Sequence, residues 1–131
     1  MTKTTLIAAA GVILGMAATT VSAADLPPAS TKAGVTYTAD IRPIFEKSCF
    51  KCHGPEKQKG KLRLDSFEST NKGGENAPLF KKGDSAKSQI VLAVGHIGNE
   101  DDFMPPPDKG KQLTPEQIGL IRAWIDQGAK K

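Results

Sequence analysis

The stretch Cys49-Phe50-Lys51-Cys52-His53 constrains this chain more than any other. Two cysteines three positions apart, with a histidine directly after the second, form the pattern of covalent c-type haem attachment. On a helical turn, positions i, i+3 and i+4 share one face, so Cys49, Cys52 and His53 can address one object from one side. Each thiol can add to a porphyrin vinyl group as a thioether, and the imidazole can take an axial position on the iron. A chain that carries such a group has to fold around it.

Three other uses of the cysteines compete at this level. A thioredoxin-like redox pair needs a preceding strand in a βαβ pattern, whereas Asp40 to Ser48 reads as helix. A structural zinc site usually takes four protein ligands, and Cys49, Cys52, His53 and His96 are oddly spaced for one. A disulfide suits an oxidising compartment but gives His53 no purpose. Haem attachment is the reading that uses all three residues.

The N-terminus points to export. Lys3 is followed by a soft apolar run from Leu6 to Ala18 and then by Val21-Ser22-Ala23, a small-residue cleavage site. This reads as a secretory signal peptide over 1–23 and places the mature chain in the periplasm. An uncleaved anchor is the competing reading. The run is rich in Ala and Gly and interrupted by Thr19, Thr20 and Ser22, short of the ~20 strongly apolar residues of a span. No cysteine lies near the cleavage site to carry a lipid.

Removing 1–23 takes away Lys3 and no acidic residue, so the net charge falls from +4 to +3 over the remaining 108 residues. That length suits one domain. The charge is too mild, and seven aromatics too few, for a nucleic-acid surface. So few aromatics also imply a thin conventional core, to which a buried porphyrin would add apolar surface.

Residues 24–36, with Pro27-Pro28, read as a flexible linker, and the domain as 37–131. A first helix is expected from Asp40 as N-cap, with Pro43 in its first turn and Ile41, Ile44 and Phe45 as its apolar stripe. Gly54-Pro55 would stop it just after the motif. Glu56 to Phe80 reads as a long surface loop with a short ordered stretch at 62–65, held by what it wraps. Asp84 or Ser85 would cap a short helix through Ile90-Val91-Leu92 to Gly95, although the β-branched run also suits a strand. Thr114-Pro115-Glu116-Gln117 is a capping box with proline at the first helical position. The helix it starts carries Ile118, Ile121, Trp124 and Ile125 on one face and ends at Gly128. That face should pack on the first helix, with Trp124 in the core.

A low-spin electron-transfer haem takes a second strong axial ligand, usually Met or His. Met1 and Met16 leave with the signal peptide, so Met104 is the mature chain's sole methionine. Pro105-Pro106-Pro107 stiffens the loop beyond it, which lowers the cost of ordering a thioether ligand. His96, between Gly95 and Gly98, is the competing ligand, and an open sixth site is the third possibility.

The motifs form an ordered set. Asp40-Ile41-Arg42-Pro43-Ile44 precedes Cys49-Phe50-Lys51-Cys52-His53-Gly54, and Lys61-Leu62-Arg63-Leu64-Asp65 follows. Then come Lys72-Gly73-Gly74, Gly83-Asp84, Met104-Pro105-Pro106, Leu113-Thr114-Pro115-Glu116-Gln117 and Trp124-Ile125-Asp126-Gln127-Gly128. From about Tyr37 to Gly128 this string resembles the planctomycete-type cytochrome c domain, a branch of the class I cytochrome c fold. The resemblance implies a small all-α fold of about three to four helices, with long loops wrapped around one covalently attached haem c. It implies thioether bonds at Cys49 and Cys52, His53 as proximal ligand and Met104 as distal ligand.

The expected role is outer-sphere electron transfer by a carrier, not an enzyme. A backbone carbonyl near Pro55 is the candidate acceptor for the second ring N–H of His53. Arg63 is a candidate partner for a haem propionate, or a solvated surface residue. Lys51, Lys57, Lys59, Lys61 and Arg63 crowd the motif and would steer an acidic redox partner or a periplasmic dehydrogenase, unless they serve only solubility. The alternative of another class is a haem enzyme or gas sensor, peroxidase-like, with a replaceable sixth ligand.

Overall fold

The chain enters the helical segment that precedes the motif at Thr36, four residues before the expected cap. The computed structural model describes residues 25–131, so the expected signal peptide at 1–23 lies outside the described residues. A five-residue π-turn, Tyr37–Ile41, leads directly into α1, Arg42–Ser48. Thr36 Oγ1 accepts from the Ala39 N–H at 3.2 Å, and Asp40 Oδ2 accepts from the Thr36 N–H at 3.0 Å. The Thr36 side chain therefore caps Ala39 while the Asp40 side chain reaches back to Thr36, and Asp40 sits inside the first turn instead of starting it. A second carboxylate contact, to Lys32, completes its setting.

Helix α1 also ends early. It stops at Ser48, ahead of the motif, where Cys49 leaves the helical region at φ −126°. Cys49 to His53 then form a turn of their own, with the N–H groups of Cys52 and His53 both donating to the Cys49 carbonyl, at 3.1 and 2.8 Å. Gly54-Pro55 thus ends a separate turn, not the first helix.

The later helices are α2 (Phe67–Lys72), α3 (Gln89–Val94) and α4 (Pro115–Asp126), with no strand among the described residues. This is the small all-α arrangement expected. Helix α2 lies inside the stretch read as loop: Ser66 caps it by accepting from the Ser69 N–H, and Thr70 is its buried residue. The run 89–94 is helical, not extended. Its N-cap is Ser88, while Asp84 precedes a separate 3-10 turn at Ser85–Lys87.

Helix α4 organises the core. Thr114 and Gln117 make the reciprocal capping box, and Leu113 and Ile118 are both buried at its start. Its apolar face packs on the 37–41 turn, on the 85–87 turn and on α3. Trp124 is fully buried against Tyr37 and Phe80, at ring-centroid distances of 6.1 and 5.1 Å. Tyr37 in turn touches Phe45 and Phe67. Five of the seven aromatics therefore sit in one cluster, so a low count does not make a thin core.

Residues 25–36 are not a free linker. Leu26 and Val35 are buried. The Ser30 N–H donates to the Gly119 carbonyl at 2.9 Å, and Arg122 on α4 donates to the Pro27 carbonyl. Gln127 donates to the Lys32 carbonyl at 2.8 Å and accepts from the Val35 N–H at 3.1 Å. The segment runs so close that a Cβ on Gly119 would stand 2.8 Å from the Pro28 carbonyl oxygen. Its prolines mark an extended, hydrogen-bonded strap across α4.

Candidate functional site

The motif turn is pinned from behind by the segment that follows it. The Lys59 N–H donates to the Cys52 carbonyl at 2.9 Å, and the Leu64 N–H donates to the His53 carbonyl at 2.8 Å. The Gly54 N–H donates to the Lys57 carbonyl at 2.9 Å, which closes a tight loop beyond the histidine. The chain returns once more at Glu75, whose N–H donates to the Gly60 carbonyl at 2.9 Å. The stretch expected to wrap something is thus built by backbone bonds that converge on Cys52, His53 and Gly60.

Burial pushes the Cys49 thiol up to about 12, with the neighbouring Cys52 adding to the shift. Such a thiol stays protonated at neutral pH and is the reverse of the acidic thiol of a redox CxxC pair. Both cysteines are free in the structure. For His53, burial lowers the pKa, which keeps the imidazole neutral and available as a metal ligand. The nearby Leu62 and Lys59 carbonyls pull the other way. Neither closes a hydrogen bond of ordinary geometry, because His53 Nδ1 is buried without a partner. The Pro55 carbonyl, expected to serve His53, accepts instead from Gln58 Nε2 at 3.5 Å.

Met104 approaches from the far side of the sequence. Its N–H donates to the Ala93 carbonyl at 3.0 Å, which ties the loop to the end of α3. The peptide to Pro105 is cis. Cys49, His53 and Met104 all line a single cleft of about 920 Å³, counting the space at its open mouth. Its walls are aliphatic: Leu62 and Leu64 behind the motif, Leu79 from the following loop, and Ile90, Ala93 and Val94 from α3. Polar side chains from Lys59, Glu75, Asn76, Gln89 and Asp102 also line it, and all five residues are exposed.

Three of the candidate residues lie outside that lining. Cys52 is half-buried on the motif turn. Arg63 spends its guanidinium on Asp65, through Nε to Oδ1 at 2.9 Å and Nη2 to Oδ2 at 2.7 Å. This bidentate pair holds the Asp65 carboxyl below its ordinary range. Lys59 is the cation that lines the cleft, and its role there was legible only as one member of a basic run. His96 packs its ring on Phe103 and meets the Pro105 carbonyl, away from the cleft.

The donors suit an iron porphyrin better than a bare ion. Among the described residues, no three His, Cys, Asp or Glu side chains converge as a metal site would need. Cys49, His53 and Met104, which carry a thiol, an imidazole and a thioether, instead line one largely aliphatic cleft, a donor set that fits a covalently held iron porphyrin.

Residues 49–108 match the family model described as Planctomycete cytochrome C. The match contains the motif turn, the cleft loops, α3 and the Met104 loop, and it is shorter than the stretch Tyr37 to Gly128 over which the motifs line up. Comparison with curated proteins and with solved structures gave no significant match. The helical architecture, without strands among the described residues, agrees with the small cytochrome c-like fold, and the family suggests haem-based electron transfer with covalently bound haem c.

Proposed function

The segment 49–108 is a planctomycete-type cytochrome c domain, and on that premise we propose that the chain is a periplasmic one-electron carrier with a single haem c. Cys49 and Cys52 would hold the group covalently, and His53 and Met104 would hold it axially. The observation that carries the reading is that Cys49, His53 and Met104 line the same aliphatic cleft although the sequence separates the methionine widely from the motif. Bound there, haem c supplies a ferric/ferrous couple.

The residues' own contributions follow from their settings. The neutral, half-buried His53 offers a nitrogen lone pair at no protonation cost. The thioether of Met104 is a soft donor that favours the reduced metal, so the potential should lie above that of a bis-His site. The aliphatic walls beside both donors would lower the local dielectric. Lys59, which lines the cleft, would be the partner for a propionate, since Arg63 is engaged by Asp65.

Lys51, Lys57, Lys59 and Lys61 are all exposed around the motif. They favour an acidic partner, whose electron exchange with this protein should slow as ionic strength rises. Among the described residues no helix is long and apolar enough to cross a membrane. Export rests on the N-terminal sequence pattern.

Visible spectroscopy of the exported protein tests the proposal. The ferric wild type should show the weak red-edge charge-transfer band of a thioether–iron bond, and Met104→Ala should abolish it. A high-spin wild-type spectrum that shifts readily with cyanide or carbon monoxide would favour the enzyme or gas-sensor reading. Cys52→Ala should weaken the haem stain that survives denaturing electrophoresis.

A further inference from the structure

His96 is the mature chain's other histidine, and the ligand set does not use it. Its backbone lies in the left-handed region at φ 54°, which non-glycine residues adopt only where the surroundings impose it, though histidine does so more readily than most. Two contacts account for that imposition. The ring stacks on Phe103 with centroids 4.6 Å apart and planes 9° apart. Nε2 lies 3.2 Å from the Pro105 carbonyl oxygen. A carbonyl only accepts, so Nε2 carries the proton and donates.

These contacts fall on the residues either side of Met104. Met104 itself is held through its N–H to the Ala93 carbonyl, and the same carbonyl accepts the His96 N–H at 3.2 Å. Three consecutive residues, 103 to 105, are thus tied to the turn that ends α3, two of them by one imidazole. We propose that His96 is a positioning residue that clamps the loop and fixes where the Met104 thioether stands. The inference rests on the reading of Met104 as axial ligand. It gives the half-buried histidine, which lies outside the cleft lining, a task other than ligation.

A clamp of this kind slows departure of the thioether and narrows its range of distances. The test uses the haem-loaded protein as wild type, His96→Phe, His96→Gln, His96→Ala and Met104→Ala. The Phe variant keeps a ring over Phe103 without the donor. The Gln variant keeps an N–H donor without the ring. The readouts are the rate at which added imidazole replaces the axial ligand in the ferric protein, the midpoint potential, and the thermal midpoint as a control for the fold.

Loss of one hydrogen bond should speed replacement about fivefold in the Phe variant. The Ala variant should be faster still, with a lower potential, and the Gln variant should return part of the way to wild type. Equal exchange rates and potentials in wild type, Phe and Ala, with Met104→Ala shifting both, would overturn the clamp and leave the ligand assignment standing. An unchanged spectrum in Met104→Ala would overturn the ligand assignment and the clamp with it. Loss of the wild-type axial signature in His96→Ala but not in Met104→Ala would make His96 the ligand and likewise overturn the clamp.

Discussion

At Gly54, a hydrogen in place of a side chain allows the chain to turn straight after the haem-motif histidine. A Cβ there would stand 2.3 Å from the Phe50 carbonyl oxygen and 3.1 Å from its carbon, both backbone atoms that cannot swing aside. Gly54→Ala should therefore destabilise the protein by ~1–3 kcal/mol, read from the urea midpoint of the haem-loaded form. A second residue sets an acid limit. Asp40 is held below its ordinary pKa of 3.8, first by the Lys32 ammonium and then by the Thr36 N–H. A depressed carboxyl contributes stability that is complete above the ordinary value and is lost as pH falls through the folded one. Stability should thus drop below pH about 4, and Asp40→Asn should flatten that drop while lowering the plateau above it. Denaturation midpoints at a series of pH values distinguish the two curves. Both residues were visible in the sequence, but as a helix stop and a helix cap. Their actual roles depend on a backbone approach and on a neighbour eight positions away, neither of which is written in local pattern.

At the scale of elements, α4 was read almost as it stands because its signals are local. The capping box, the first-turn proline and the apolar stripe all act within one helix, and each has an energetic reason to be there. Thr114→Ala should cost about 1 kcal/mol, measured by denaturation, with no change in the haem spectrum, because the cap touches nothing in the cleft. Helix α2 was missed for the opposite reason. Phe67-Glu68-Ser69-Thr70-Asn71-Lys72 is almost wholly polar, and it is held by the Ser66 cap, by the Thr70 hydroxyl donating to the Ser66 carbonyl and by burial of Thr70. Polar sequence of this kind is helical only because tertiary packing makes it so. The first helix ends five residues before the histidine for a related reason. The motif needs its own turn to present Cys49 and His53 together, and a continued helix would not leave the backbone free to meet Lys59 and Leu64.

At the scale of the whole molecule, the residues that look like a leader to the domain are part of its wall. Starting the chain at Tyr37 would remove the buried Leu26 and Val35 and leave Gln127 and Arg122 without the carbonyls they donate to. Burial of two such side chains contributes ~3–6 kcal/mol, so a chain beginning at 37 should show a markedly lower thermal midpoint than one beginning at 25. The aromatic cluster around Trp124 is filled by side chains, whereas the aliphatic cleft beside α3 is open. The sequence by itself determined the CxxCH motif, the proline run after Met104, the family resemblance and the terminal helix, because each depends on residues that are adjacent or one turn apart. Only the tertiary structure decided that Met104 shares a cleft with Cys49 and His53, that Arg63 is committed to Asp65 and that His96 braces the loop instead of lining the cleft. Those are meetings between distant segments, and packing and backbone closure, not spacing, choose which of them occur.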